Sequence, residues 1–326
     1  MKDSSALRRR SVLCAALLLA ALLPSTSQPA SACPMPPTLA EMTEQSSIVF
    51  VGKVASHSTK PMWTDEGEEY QMPVAAIRVE TAVKGDVAPG VTVSVENFYP
   101  GYDEEGERPT LDSRILLVFA TAGATPVDLS LVDVRDVTSQ AARESYVART
   151  REMIEILSVA DQSERRAKAV EWSIRCIEDG ATREDGVRDL SRSRYIYDEE
   201  RGEGSEIALE RPQLERIVSV VLATSDFESS GDFALAHVAI GLGDERVVAH
   251  LTARLRAAAE RSNETTRQLM YTLAYGSEWY DGGEMVAEFD PEAPVDARRA
   301  FVEQFLDMLA QRSALSPTSE AVEIDE

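Results

Sequence analysis

The stretch Ser47-Ile-Val-Phe-Val-Gly-Lys-Val54 decides how the first half of this chain is read, because its centre, Ile48 to Val51, is apolar without interruption. A strand with water on one face alternates apolar and polar side chains. A strand with no alternation needs cover on both faces. Downstream, AAIRVETAVKG (residues 75–85) does alternate. Ala75, Ile77, Val79, Thr81 and Val83 are expected on one face, and Arg78, Glu80 and Lys84 on the other. Lys84-Gly85-Asp86 and Pro89-Gly90 mark the turn that follows. VTVSVEN (91–97) alternates again, with Val91, Val93 and Val95 expected inward. Arg114 to Phe119 repeats the buried pattern, and Leu129 to Val137 supplies a last strand. Five strands of this length predict a small closed barrel. Upstream, Thr38 to Glu44 reads as a short helix with Thr38 as N-cap.

After Ser139 the apolar period becomes helical. Helices are expected over residues 140–159, 164–178, 183–190, 212–224, 232–242, 245–261, 264–275 and 296–311. Thr182 is an N-cap candidate, and Pro212 suits a first turn. Short turns between helices predict a stack of α-hairpins. HVAIGLGDERVVAHLTARLRAA (237–258) resembles a HEAT-type repeat, a helix, a Gly-Asp turn and a second apolar-faced helix.

The N-terminus reads as an export signal. Arg8, Arg9 and Arg10 precede the apolar run Val12–Leu23, and Ala30-Ser31-Ala32 forms a small-x-small cleavage site. Arg9-Arg10-Ser11-Val12-Leu13 faintly resembles a twin-arginine signal. The apolar run is shorter than the ~20 residues a membrane span needs, and no comparable run follows. Residues 1–32 are therefore assigned to a signal peptide, 33–138 to a barrel domain, 139–313 to an α-helical domain and 314–326 to an acidic tail expected to be disordered. The expected location is periplasmic or secreted.

The chain carries a formal charge of −23; residues 1–32 contribute +3, which leaves −26 on the rest. A surface of that sign repels phosphate backbones and anionic lipid, which argues against nucleic-acid binding; it can attract cations or basic partners, but a solvated acidic surface is the default reading, and the identity of any protein partner is open. Cys14 lies in the signal, so Cys33 and Cys176 remain. Two cysteines make no disulfide-dense scaffold, and the fold must rest on apolar cores.

The barrel half resembles the bacterial branch of the tissue-inhibitor-of-metalloproteinases-like OB-fold, akin to the netrin module. The elements that carry the resemblance are Cys33, TLAEMTEQSSIVFVGKV, IRVETAVKG, VTVSVEN and RILLVFA, in that order, with Phe50, Gly52, Val54, Lys84 and Gly85 at matching places. It implies a small OB-like barrel ahead of the helical, HEAT-like half. It also implies an N-terminal cysteine whose amine and carbonyl chelate the zinc of a target protease. The start here is Cys33-Pro34-Met35, without the family's second cysteine, and no cysteine lies between 34 and 175. The N-terminal strand thus lacks the disulfides that would preorganise it.

Cys33 also follows the cleavage site directly. A lipoprotein signal wants an aliphatic residue three places before the cysteine, where this chain has Ala30, so ordinary cleavage after Ala32 is preferred to a lipid anchor at Cys33. A Cys33–Cys176 disulfide and a free thiol both stay open. Trp172 and Cys176, four apart on one helix, are expected in the core.

Catalytic constellations are sparse. His57, His237 and His250 are the only histidines; there is no His-Glu-x-x-His and no Gly-x-Ser-x-Gly, and no cofactor is expected. His237 and His250 fall on neighbouring helices, where structural roles are the commoner reading. Three acidic loops, 64–70, 99–109 and 280–296, lack the ligand spacing of an EF-hand. They carry Trp63, Tyr70, Tyr99, Tyr102, Trp279 and Tyr280 in or beside them, which either anchor the loops or face a partner. The expected partner surface comprises Cys33, Trp63, Tyr99 and Tyr102. The expected function is that of an exported, non-enzymatic binding or scaffolding protein of the bacterial envelope or exterior. The alternatives are a metalloprotease inhibitor acting through Cys33, and a hydrolase or metal-binding protein.

Overall fold

The structure, a computed structural model, describes residues 37–64, 67–98, 114–123, 127–194, 197–198, 203–204, 209–227, 229–261, 263–277, 279 and 281–315. Five strands close a barrel in the order β1-β2-β3-β5-β4. They are β1 (Ile48–Trp63), β2 (Glu69–Lys84), β3 (Thr92–Glu96), β4 (Ile115–Ala122) and β5 (Asp128–Asp136). Neighbours run antiparallel except β3 and β5, which are parallel.

The unbroken apolar runs have the cover they require. Phe50 and Val54 of β1, with Leu116, Val118 and Ala120 of β4, point into the barrel. Val49 and Val51, with Leu117 and Phe119, point outward into a second core shared with the helices. Each such valine, leucine or phenylalanine is worth about 1.5–3 kcal/mol when fully buried.

The alternation of β2 holds for Ala75, Ile77 and Val79, which line the interior. It then slips. Register shifts opposite Val49/Phe50 and Val51/Gly52 leave Thr81 exposed and turn Val83 toward the helix-side core. An extra residue in one strand of a ladder reverses which face follows it, and the alternating pattern cannot show where that occurs. Val91 likewise differs from its inward assignment. It precedes β3, is exposed, and uses its carbonyl to accept the Val79 N–H at 2.9 Å.

Helix α1 (Leu39–Gln45) starts on a capping box in which the Thr38 hydroxyl accepts from the Glu41 N–H and the Glu41 carboxylate accepts from the Thr38 N–H. Its C-terminal end is served by Lys84, whose Nζ donates to the Thr43 carbonyl at 2.6 Å. Burial lowers the Lys84 pKa against the pull of Glu44. Gly85 has φ +79°, and a Cβ there would stand 2.5 Å from the Ser47 carbonyl oxygen. The Lys-Gly pair therefore closes the corner where α1, β1 and β2 meet.

Among the described residues nine further helices follow: α2 (Gln140–Leu157), α3 (Gln162–Glu178), α4 (Arg183–Arg194), α5 (Arg211–Ala223), α6 (Ser230–Gly241), α7 (Glu245–Ala258), α8 (Asn263–Gly276), α9 (Gly282–Ala287) and α10 (Val295–Leu315). A two-residue pairing, β6 (Tyr197–Asp198) with β7 (Glu203–Gly204), lies between α4 and α5. Packing runs between near neighbours in the chain, α3 on α4 and α5, α4 on α6, α6 on α8, and α7 on α8 and α10. One apolar core extends from Val170 to Leu309. The acidic segment 280–296 is not a plain loop, since it holds α9. Trp279 just before it is 5% exposed, its ring 5.3 Å from that of Phe305, so this aromatic anchors its segment. No described helix is long and apolar enough to cross a membrane.

The change from strand to helix at residue 138 separates the barrel-interior cluster from the helix cluster but not the third cluster, which spans it. Val137, Met153, Ile156, Trp172 and Cys176 share one cluster with β1 and β4, and barrel and helices belong to one unit from Pro37 onward.

Candidate functional site

Strands β1 and β2 are each 16 residues long, and both run on past the barrel at one end. Partners β4 and β3 cover only Ile48–Lys53 of β1 and Val74–Arg78 of β2. Beyond Ser58↔Val74, the last pair in which β2 also holds β3, the two strands continue paired to each other alone, from Thr59↔Pro73 through Met62↔Tyr70 to Trp63↔Glu69. The result is a two-stranded ribbon reaching out from the barrel, with residues 55–61 and 63 exposed. Such a hairpin is marginal by itself, and its base is tied down. The Phe98 N–H donates to the Pro73 carbonyl at 3.1 Å, the His57 ring lies 5.6 Å from the Phe98 ring, and Lys60 Nζ meets Glu96 Oε1 at 2.8 Å. At the tip the Thr64 N–H donates to the Glu68 carbonyl at 2.8 Å, and Gly67 adopts φ +85°.

The tip carries the most exposed aromatic ring among the described residues. Trp63 is 63% exposed and Tyr70 is 41% exposed, whereas Trp172 is fully buried. Residues directly opposite share a face, so Trp63 and Glu69 lie on one side of the ribbon and Met62 and Tyr70 on the other. Of the expected partner surface, Trp63 is thus at the tip. Tyr99, Tyr102, Cys33 and the cleavage residue Ala32 lie outside the described residues. The apolar pattern of the strand that carries Trp63 ends at Val54. Residues 55–63, ASHSTKPMW, show neither an apolar run nor alternation. The exposed Trp63 beside an acidic turn was the available signal.

A groove of about 840 Å3 lies between the ends of α3, α4, α5 and α6. Its arginines are committed. Arg216 grips Glu178 through two bonds of 2.7 Å and Glu171 through one of 2.6 Å, and Arg183 pairs with Asp232. The Arg216 guanidinium holds the Glu178 carboxyl below its ordinary range. Burial pushes Asp232 up, but the Ser229 hydroxyl and Arg183 outweigh it and leave it low. Both acids are therefore ionised ion-pair partners, poorly suited to hold a catalytic proton near neutral pH. His250 directs Nε2 at the Thr224 carbonyl, 3.0 Å away, and rests on Phe227, while His237 is exposed on α6. No group of three or more His, Cys, Asp or Glu among the described residues is placed to hold a metal ion.

A third cluster joins barrel to helices. Arg135 of β5 donates to Asp185 of α4 at 3.0 Å and to the Pro37 carbonyl at 3.2 Å, and Tyr146 of α2 donates to Asp185 at 3.2 Å. Burial would lower the Arg135 pKa, but Asp185 and Asp133 hold it well above its ordinary value. Beside it the Thr38 and Ser173 hydroxyls meet Asp189 at 3.0 and 2.8 Å. Burial there outweighs both bonds and raises the Asp189 pKa. Cys176 is fully buried, its pKa pushed up by burial, with its carbonyl accepting from Thr182. These groups clamp elements together, and a thiol in that state is a poor nucleophile.

Of the three arrangements, only the ribbon presents side chains that the fold itself leaves unused. Comparison with known proteins finds no family model and no curated protein that matches this chain.

Proposed function

We propose that this chain is an exported, non-enzymatic binding protein of the bacterial envelope or exterior, and that the β1–β2 ribbon is its contact surface. The observation that carries the reading is the placement of Trp63, an exposed ring on a strand extension that adds nothing to the barrel core. Aromatic side chains on rigid elements are favoured interface anchors, since they supply area at little entropic cost. Residues 1–32 support export through their basic, apolar and small-residue order.

The test is a photoreactive residue placed at position 63 in the native host, with the same residue at exposed Met308 of α10 as control. The expected result is one discrete adduct from position 63 that excess wild-type protein competes away and excess Trp63→Ala does not. No adduct, or the same adduct from both positions, overturns the reading.

A further inference from the structure

We infer that the ribbon's partner is a cationic protein segment, rich in arginine or lysine, that stacks on Trp63 and pairs with Glu69 on the same face and with neighbouring Glu68. This rests on the ribbon being the contact surface. By sequence the tip is acidic. Between Thr64 and Tyr70 the chain holds Asp65, Glu66, Glu68 and Glu69 and no basic residue. Glu69 lies directly across from Trp63 and accepts from Gln71 Nε2 at 3.2 Å. The one lysine of the ribbon, Lys60, is engaged by Glu96 at 2.8 Å, so it offsets little of that charge. A cation over the face of a tryptophan or tyrosine is attracted by the ring quadrupole, and nearby carboxylates add to the attraction.

Other occupants fit less well. A second copy would bring the same acidic tip and a like charge of −26, counted from residue 33. An anionic lipid surface is repelled for the same reason. An apolar partner would strip water from Glu68 and Glu69 without pairing them. Addition of a strand along the ribbon meets Pro61 and Pro73, which lack the N–H groups an edge must offer.

The experiment uses the full mature chain and a tryptophan-free octa-arginine peptide, with octa-glutamate as its counterpart. Tryptophan emission reports on Trp63, because Trp172 is fully buried and Trp279 is 5% exposed. A photo-crosslinker on the peptide reports location. Octa-arginine is expected to perturb the exposed emission and to crosslink to the ribbon, and octa-glutamate to do neither. Glu68→Lys with Glu69→Lys should weaken octa-arginine about tenfold, and Trp63→Ala about threefold to tenfold. Glu155→Lys with Glu288→Lys makes the same change in net charge at exposed sites elsewhere and should weaken binding less than about twofold. Equal losses in the two double variants, or crosslinks falling on the helices, overturn the inference. The two readings fail separately. A position-63 adduct in the host that survives Glu68→Lys with Glu69→Lys removes the cationic partner and leaves the ribbon. No adduct from position 63 removes both.

Discussion

Strand β1 is two regions in one. From Ile48 to Val54 it is covered by β4 on one edge and β2 on the other, with Phe50 and Val54 in the barrel and Val49 and Val51 against the helices. From Ala55 to Trp63 it keeps only β2, and nearly every side chain meets water. Backbone conformation is the same in both halves, but the apolar burial that stabilises the fold is confined to the first. The second half contributes little to the core, and on the proposed reading its tryptophan serves contact with a partner.

Substitutions in the two halves should separate accordingly. Phe50→Ala removes a fully buried ring and is expected to cost about 3–5 kcal/mol in chemical denaturation. A loss under ~1 kcal/mol would show that the interior collapses around the gap. Arg135→Ala takes the cation from Asp185, whose side chain is 4% exposed and keeps only the Tyr146 hydroxyl of the two donors described, and should cost about 3 kcal/mol. If denaturation of that variant matches wild type, the clamp between barrel and helices is not where stability resides.

Asp189→Asn is expected to differ in sign. The folded pKa of Asp189 is raised, so the protonated carboxyl suits the fold. Its contribution is complete below the unfolded pKa and is lost as pH rises through the folded one. The asparagine variant keeps a neutral side chain, so its stability relative to wild type should climb across that window and level off above it. Denaturation midpoints from acid to neutral pH measure this, and a flat difference would mean the Thr38 and Ser173 bonds offset burial entirely. The smallest effect belongs to the ribbon. Trp63→Ala should change stability by no more than about 0.5 kcal/mol while removing the component of emission most accessible to a quencher. Because Glu69 lies opposite, caesium should quench that component better than iodide. Equal quenching would place Trp63 outside the acidic field.

Sequence alone determined a good deal. The unbroken run Ile48–Val51 and its counterpart Leu116–Val118 demanded cover on both faces, and a five-stranded barrel packed on helices supplies it. The helices from Gln140 onward were readable because an amphipathic period of 3.6 is set by local geometry. Thr38 as a cap was readable for the same reason, since its partners lie three residues away.

Tertiary structure decided what depends on distant partners. The slips along β2 that turn Val83 to the helices arise from how two strands match over their length. The Arg135–Asp185 and Thr38–Asp189 pairings join residues 50 and 151 apart, and no local pattern encodes them. The ribbon is the clearest case. ASHSTKPMW buries almost nothing, so it leaves no hydrophobic period to read, and it is a strand because β2 pairs with it. Burial writes itself into sequence as periodicity; pairing through the backbone alone does not.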